Sequence, residues 1–198
     1  CFNGDPDDVL LRMSDAAKKH KLDYILTITA DSPFVDPTYA DSIVDMFKKT
    51  GADLIRQFDL PHGVFSYGIN VEALRKVIDI KASSDTEVWG RYFTDTGLFN
   101  VLDFEVTNSF HKRPGMRMTL DYPEDWVFFK TIFEALYKDK QIFSLDEILT
   151  FLDSNPDVVN INKNCGDRFL KKFKTHSEIK LKKKHHVIKA LVIGCGSI

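Results

Sequence analysis

The spacing of apolar residues switches between helical and strand-like periods several times along this chain, and each switch is punctuated by Pro, Gly or Asp. Val9, Leu10, Met13, Ala16 and Ala17 recur at helical spacing up to His20. Ahead of them, Asp5-Pro6-Asp7-Asp8 offers an N-cap carboxylate, a Pro for the first helical position and acids for the positive end of the dipole. Leu22 to Thr29 reads as a strand apolar enough to lie in a parallel sheet. Asp36-Pro37 opens a second helix, with Ala40, Ile43, Val44 and Phe47 on one face and Gly51 as its stop. Further on, Ala52–Phe58, Asn100–Val106 and Met116–Leu120 read as strands. Val71–Ile78, Asp85–Phe93, Pro123–Lys138 and Leu145–Leu152 read as helices, the last broken by Asn155-Pro156. This alternation predicts an α/β fold: a doubly wound, mostly parallel sheet with the helices Asp7–His20, Pro37–Lys49 and Pro123–Lys138 on its faces. No internal repeat of solenoid period interrupts it.

Composition narrows the class. A chain of 198 residues is one domain with room for part of a second. With 43% hydrophobic and 28% charged residues, disorder and collagen-like repeats are excluded. The apolar stretches fall short of the ~20 residues that span a bilayer, so no membrane segment is expected. Cys1, Cys165 and Cys195 lie too far apart for a disulfide framework or a zinc site, which suits a reducing cytoplasm. The charge is uneven: Arg168 to Lys189 hold nine Lys/Arg and one acid, Glu178, while the rest of the chain is acidic. Only Phe169 and Phe173 interleave that basic run, so it reads as a solvated linker and not as a nucleic-acid patch.

The most informative motif occurs twice. Thr29-Ala30-Asp31-Ser32-Pro33 and Thr119-Leu120-Asp121-Tyr122-Pro123 are both Thr-x-Asp-x-Pro at the end of an apolar strand. In open α/β sheets, ligands bind outside the carboxyl ends of the strands. Two carboxylates delivered there by neighbouring strands suit one hard cation, Mg²⁺, shared with substrate phosphates. The competing reading is that each Asp caps the helix that follows.

These segments also carry a resemblance. Gly4-x-x-Asp7-Asp8-Val9-Leu10-x-Arg12, then Thr27-Ile28-Thr29-Ala30-Asp31-Ser32-Pro33-Phe34-Val35-Asp36-Pro37, then Arg117-Met118-Thr119-Leu120-Asp121-Tyr122-Pro123-Glu124-Asp125 follow one another in that order. From Gly4 to about Asn162 the chain resembles the cytidylyltransferases related to spore-coat polysaccharide biosynthesis proteins, distant relatives of the CMP-3-deoxy-octulosonate and CMP-acylneuraminate synthetases. The resemblance implies a nucleotidyltransferase fold, with Asp31 and Asp121 holding Mg²⁺ near the α-phosphate of CTP. A sugar or sugar-acid hydroxyl attacks that phosphorus and pyrophosphate leaves. Glu87 and Arg91 are candidates for the sugar site, Arg117 for a phosphate or carboxylate, each also readable as an ordinary surface residue. A homodimer is compatible with this, and a non-catalytic sugar- or nucleotide-binding module of the same fold is the alternative.

Two departures stand out. The family's glycine-, arginine- and lysine-bearing phosphate loop has no counterpart here, so the chain is expected to lack activity by itself. In place of the family's acidic-His pair stands Asp85-Thr86-Glu87-Val88-Trp89-Gly90-Arg91-Tyr92. Of the histidines, His20, His62, His111, His176, His185 and His186 show no metal-ligand spacing and read as exposed. Finally, Val187–Ile193 is a buried-strand pattern running into Gly194-Cys195-Gly196-Ser197-Ile198. That resembles the opening of an NAD(P)-dependent sugar oxidoreductase, with Gly194 and Gly196 toward the cofactor. The organisation expected is therefore a cytidylyltransferase portion over 1–165, a basic linker over 166–186 and the first strand of a dinucleotide-binding domain over 187–198.

Overall fold

The structure, a computed structural model, describes residues 2–138, 141–175 and 178–182. Gly194 and Gly196, with the rest of 187–198, lie outside the described residues. The first half alternates helix α1 (Val9–His20), strand β1 (Tyr24–Thr27), α2 (Pro37–Thr50), β2 (Leu54–Arg56), β3 (Tyr67–Asn70) and α3 (Val71–Ile80). A short α4 (Arg91–Thr94) and β4 (Val101–Asp103) follow, then a 3-10 turn at Ser109–His111. The remainder is helical: α5 (Pro123–Leu136), α6 (Leu145–Ser154), α7 (Pro156–Asn160) and α8 (Cys165–Thr175).

The strands lie in the order β1-β3-β2-β4. β3 runs antiparallel to β1 (Ile25 opposite Ile69) and to β2 (Leu54 opposite Ile69), while β2 and β4 are parallel (Ile55 opposite Leu102). The α/β sheet is thus mixed, which corrects the mostly parallel expectation. β1, β2 and β4 do share one direction, but β3 is reversed between β1 and β2. Nothing in the sequence reading anticipated β3, because Tyr67-Gly68-Ile69-Asn70 is four residues with a Gly at its centre. That Gly is required: a Cβ at Gly68 would lie 1.6 Å from the Tyr24 hydroxyl. The consequence for the site is direct. β2 and β3 are antiparallel neighbours, so the segment 57–66 loops out at the carboxyl ends of β1 and β2.

The sheet is covered on both faces. Leu54, Ile69 and Ile25 face α1 and α3 through Leu10, Leu74 and Val77, while Ile55 and Leu26 pack under α2 with Ile43 and Phe47. Burying such side chains contributes roughly 1.5–3 kcal/mol each. The N-cap of α1 is Asp8, whose carboxylate accepts from the Leu11 N–H, not Asp5 with Pro6 at the first position. Instead Asp5 Oδ1 accepts from the Asp7 and Asp8 N–H groups at 2.9 and 2.8 Å. Asp8 is also buried against Lys81 and Thr86. This polar clamp pins residues 81–86 to α1, and of the expected Asp85–Phe93 helix only Arg91–Phe93, within α4, is α-helical.

Two further expectations are corrected. α5 does not lie on a sheet face: Phe128, Phe129 and Ile132 form a separate core with Ile148 and Leu149 of α6, closed by Phe34, Leu60 and Met118. Met116–Leu120 forms no named strand and, among the described residues, pairs through one parallel bridge, Arg117 with His62. The described part of the expected linker is also packed. Cys165–Thr175 forms α8, and the Ala82 N–H donates to the Lys180 carbonyl at 2.7 Å beside an antiparallel bridge between Lys81 and Leu181.

Candidate active site

A cavity of about 820 Å³ opens at the carboxyl ends of β1 and β2. Its walls come from the segment after β1, the loop 57–66, the turn at 87–89, the segment 114–121 and α8. Among the expected site residues, Asp31, Glu87, Arg117 and Asp121 all line it. Arg91 does not. Its guanidinium Nε donates to Asp95 Oδ2 at 2.5 Å one turn along the chain, away from the cavity lining.

The two repeated segments meet. The Leu120 N–H donates to the Asp31 carbonyl at 2.8 Å, which sets the two Thr-x-Asp-x-Pro stretches side by side. Neither aspartate caps a helix. Asp36 caps α2 by accepting from the Thr38 N–H, and the N-cap of α5 is Tyr122, whose N–H donates to Asp125 Oδ2 at 3.0 Å. Pro37 and Pro123 take the first helical turn in each case.

Local chemistry then separates the pair. Asp31 Oδ1 is buried with no hydrogen-bond partner among the described residues. A buried carboxylate oxygen left without a donor is costly, so it marks a place for a cation or a bound donor. Asp121 is held on one oxygen: its Oδ2 accepts from the Thr119 hydroxyl at 3.2 Å and from Arg117. Arg117, read from sequence as either a phosphate contact or an exposed residue, is buried at 6% exposure. Its Nε and one terminal nitrogen grip Asp125 at 3.0 and 3.1 Å, and the same terminal nitrogen reaches Asp121. Asn162 completes the cluster, donating to Asp125 Oδ1 at 2.9 Å and to the Arg117 carbonyl at 3.2 Å. Burial would raise the Asp125 pKa, but the Arg117 fork, the Asp121 N–H and the Asn162 amide outweigh it and hold the carboxyl below its ordinary value. Burial works against the Arg117 charge, and Asp125 and Asp121 together hold its pKa up. Arg117 Nη1 remains buried without a partner among the described residues.

Several participants were not singled out from sequence. His62 reads as exposed, and its ring is indeed open to the cavity. Its N–H donates to the Met116 carbonyl at 2.8 Å and its carbonyl accepts from the Met118 N–H at 2.7 Å, tying the 57–66 loop to the second aspartate's segment. Burial by the surrounding walls, with help from the Arg117 charge, pushes its pKa below the ordinary 6.5 despite the opposing Asp121 and Asp31 carboxylates. Gly63 makes this approach feasible: its φ is +98°, and a Cβ there would meet the Met118 carbonyl oxygen at 2.1 Å. Phe169 of α8 lies 5.7 Å from the His62 ring and 5.5 Å beneath the Arg117 guanidinium. No local pattern reports these pairings, since they join segments more than fifty residues apart.

Comparison with known proteins now decides the family. The family described as Cytidylyltransferase matches residues 1–150. The chain belongs to the cytidylyltransferase family. It is similar to an uncharacterised protein of Methanocaldococcus jannaschii, with 32% identity over 171 residues covering 84% of this chain and 68% of that protein. It is also similar to the spore coat polysaccharide biosynthesis protein SpsF of Bacillus subtilis, with 28% identity over 159 residues, 79% of this chain and 65% of that one. The chain therefore spans about two thirds of the length of these relatives. Among solved structures, a cytidylyltransferase from Leptospira borgpetersenii serovar Hardjo-bovis shares the fold with a TM-score of 0.70 at 21% identity, over 80% of this chain and 67% of that one. The mixed, open α/β sheet is thus a nucleotidyltransferase-like fold. Among the described residues no helix is long and apolar enough to cross a membrane.

Proposed function

We propose that the protein transfers CMP from CTP to a sugar-type acceptor in polysaccharide biosynthesis, releasing pyrophosphate, with Asp31 and Asp121 as the residues that would hold Mg²⁺. One observation carries this reading: two like aspartate segments hydrogen-bonded to each other on one cavity, one of them with a buried oxygen that no donor satisfies. Among the described residues no three His, Cys, Asp or Glu side chains cluster as a metal cage. A site of two carboxylates completed by substrate phosphates is a usual manner of holding Mg²⁺. Held there, Mg²⁺ would supply charge neutralisation to the phosphates; the acceptor hydroxyl forms its bond to the α-phosphorus and gives up its proton, and pyrophosphate leaves with the broken bond.

The chain's own residues supply positioning. Thr119 and Arg117 fix the rotamer of Asp121 by engaging Oδ2, which leaves Oδ1 for the ion. The unpartnered Nη1 of Arg117 is a donor for an anionic oxygen of the nucleotide or acceptor. Because Asp125 and Asp121 hold the other nitrogens of that guanidinium, little rotamer entropy is lost when Nη1 is used. Glu87, exposed and lining the same cavity, is assigned to the acceptor.

The experiment is pyrophosphate release from the four nucleoside triphosphates with a panel of sugars and sugar acids, with and without Mg²⁺. The longer natural protein is tested beside this chain where the gene encodes more. Mg²⁺-dependent release selective for CTP and abolished by Asp31→Asn is expected. Absence of turnover with every nucleotide, alongside intact binding of a sugar, would move the protein to the non-catalytic binding class.

A further inference from the structure

The cavity has a second wall of a different kind. Phe65 and Tyr67 stand edge to face with centroids 5.0 Å apart at 77°, and Tyr67 and Trp89 do the same at 5.2 Å and 81°. All three line the cavity, and so does Glu87, two residues before Trp89. Successive perpendicular rings make a corner, not a pair of parallel plates, so they do not form a slot for a planar base. All three rings line the cavity, and aromatic rings attract cations electrostatically. The Glu87 carboxylate accepts no hydrogen bond and makes no ion pair among the described residues. The cavity lining already shows such a contact within the protein. The Arg56 guanidinium sits 4.8 Å over the ring of Phe58, another cavity residue, while its charge is paired with Asp103 at 2.5 Å. Across the whole lining, Asp31, Glu87, Asp121 and Asp167 outnumber Arg117 and Lys163, and Arg117 is already engaged by two carboxylates.

We infer that the acceptor end of this cavity is a cage for a protonated or quaternary amine, formed by Phe65, Tyr67, Trp89 and Glu87, so that the acceptor is an amino-bearing compound such as an amino sugar and not a sugar acid. The word acceptor rests on the transfer reading above; the amine cage stands on its own residues. A sugar carboxylate at this end is repelled by Glu87, whereas an ammonium gains the aromatic lining and a carboxylate. A hydroxyl elsewhere on the same compound is then left to face Asp31 and Asp121.

Trp89 is its own reporter. The other tryptophan, Trp126, is 60% exposed on α5, so Trp126→Phe leaves Trp89 as the sole indole. In that background, fluorescence is titrated with choline, with its uncharged carbon isostere 3,3-dimethylbutanol, and with glucosamine, glucose and glucuronate, all without nucleotide. Choline is expected to bind at least tenfold tighter than its isostere, and glucosamine tighter than glucose, with glucuronate weakest. Glu87→Gln, a change at an exposed carboxylate, is expected to weaken both amines about tenfold while leaving the far-ultraviolet circular dichroism unchanged. Equal binding of choline and its isostere overturns the cage, as does glucuronate binding as tightly as glucosamine. So does cytidine quenching Trp89 and displacing choline, since the wall would then belong to the base. Amine binding with no CTP turnover even by the full-length protein keeps the cage and removes the transfer reading; CTP turnover onto sugar acids alone does the reverse.

Discussion

Asp31 and Asp121 stand at the same place in the same five-residue pattern, yet their surroundings differ in almost every contact. After Asp31 comes Ser32, whose hydroxyl lies 3.2 Å from that of Thr29, so the first threonine turns to the serine. After Asp121 comes Tyr122, and the second threonine bonds the aspartate itself at 3.2 Å. Pro33 leads into a turn before α2 begins at Pro37, whereas Pro123 is already the first residue of α5. Starting the helix at once places Asp125 where it collects the N–H groups of Asp121 and Tyr122 at 3.0 Å each, together with the Arg117 fork. One carboxylate is thereby held by protein and the other is left with a buried, unanswered oxygen. A repeated motif has been built into an anchored ligand and an open one.

This contrast can be broken most severely at its anchor. Asp125→Ala leaves the buried Arg117 charge without its main partner, and losing one member of a buried pair costs about 3–5 kcal/mol. A fall in the urea midpoint of corresponding size is expected; a variant as stable as the parent would show that the cluster does not anchor Asp121. Next come the aspartates themselves. In the full-length protein, where activity is expected, Asp31→Asn and Asp121→Asn are each expected to cost about 3–4 kcal/mol of transition-state stabilisation, read from kcat/KM for CTP, the scale of losing one strong electrostatic group. Their stabilities should diverge: Asp31→Asn is expected to be neutral within error, because Oδ1 has no partner to lose. Asp121→Asn is expected to cost up to about 1 kcal/mol for its half-exposed pair with Arg117. Equal stability losses would erase the distinction between open and anchored ligands.

Acidity sharpens the comparison further. The Asp125 pKa is lower in the folded chain than its ordinary 3.8, so the unfolded chain binds the extra proton first as pH falls. Its contribution is complete above the ordinary value and is lost below it, as pH descends through the folded value. Asp125→Asn is expected to flatten that acid limb in pH-dependent urea melts. His62 is also shifted down, so stability attached to its neutral form is complete above 6.5 and declines as pH falls below that value. Titration of its ring protons by NMR should give a midpoint below 6.5, and a midpoint above it would mean that Asp31 and Asp121 dominate its field. The smallest effect is expected at Thr119→Val. One neutral hydrogen bond to Asp121 is lost, about 1 kcal/mol, and the Mg²⁺ concentration needed for half-maximal activity should rise modestly. Thr29→Val, whose hydroxyl does not bond its aspartate, should leave that concentration unchanged.

What the sequence determined by itself was local. The helical period around Leu10 and Ile43, the Gly51 stop, the Pro-led starts of α2 and α5 and the two acidic strand endings all act within a turn or two of the chain, where propensity and capping decide. Together with the ordered motifs around Asp31 and Asp121 they marked the α/β class and the family, and they named four residues that share the cavity: Asp31, Glu87, Arg117 and Asp121. Tertiary structure decided whatever depends on which distant segment lies alongside. β3 is a strand because Tyr24–Thr27 and Leu54–Arg56 flank it, not because four residues with a central Gly prefer to be extended. Residues 85–90 do not continue the helix because Thr86 is drawn to Asp8 across nearly eighty residues. Arg117 is a buried keystone and Arg91 a surface ion pair, though both looked alike as arginines near acidic motifs. Burial, partner and charge are properties of the packed neighbourhood, and a one-dimensional pattern carries only the part of them that falls within the reach of a helix turn or a strand pair.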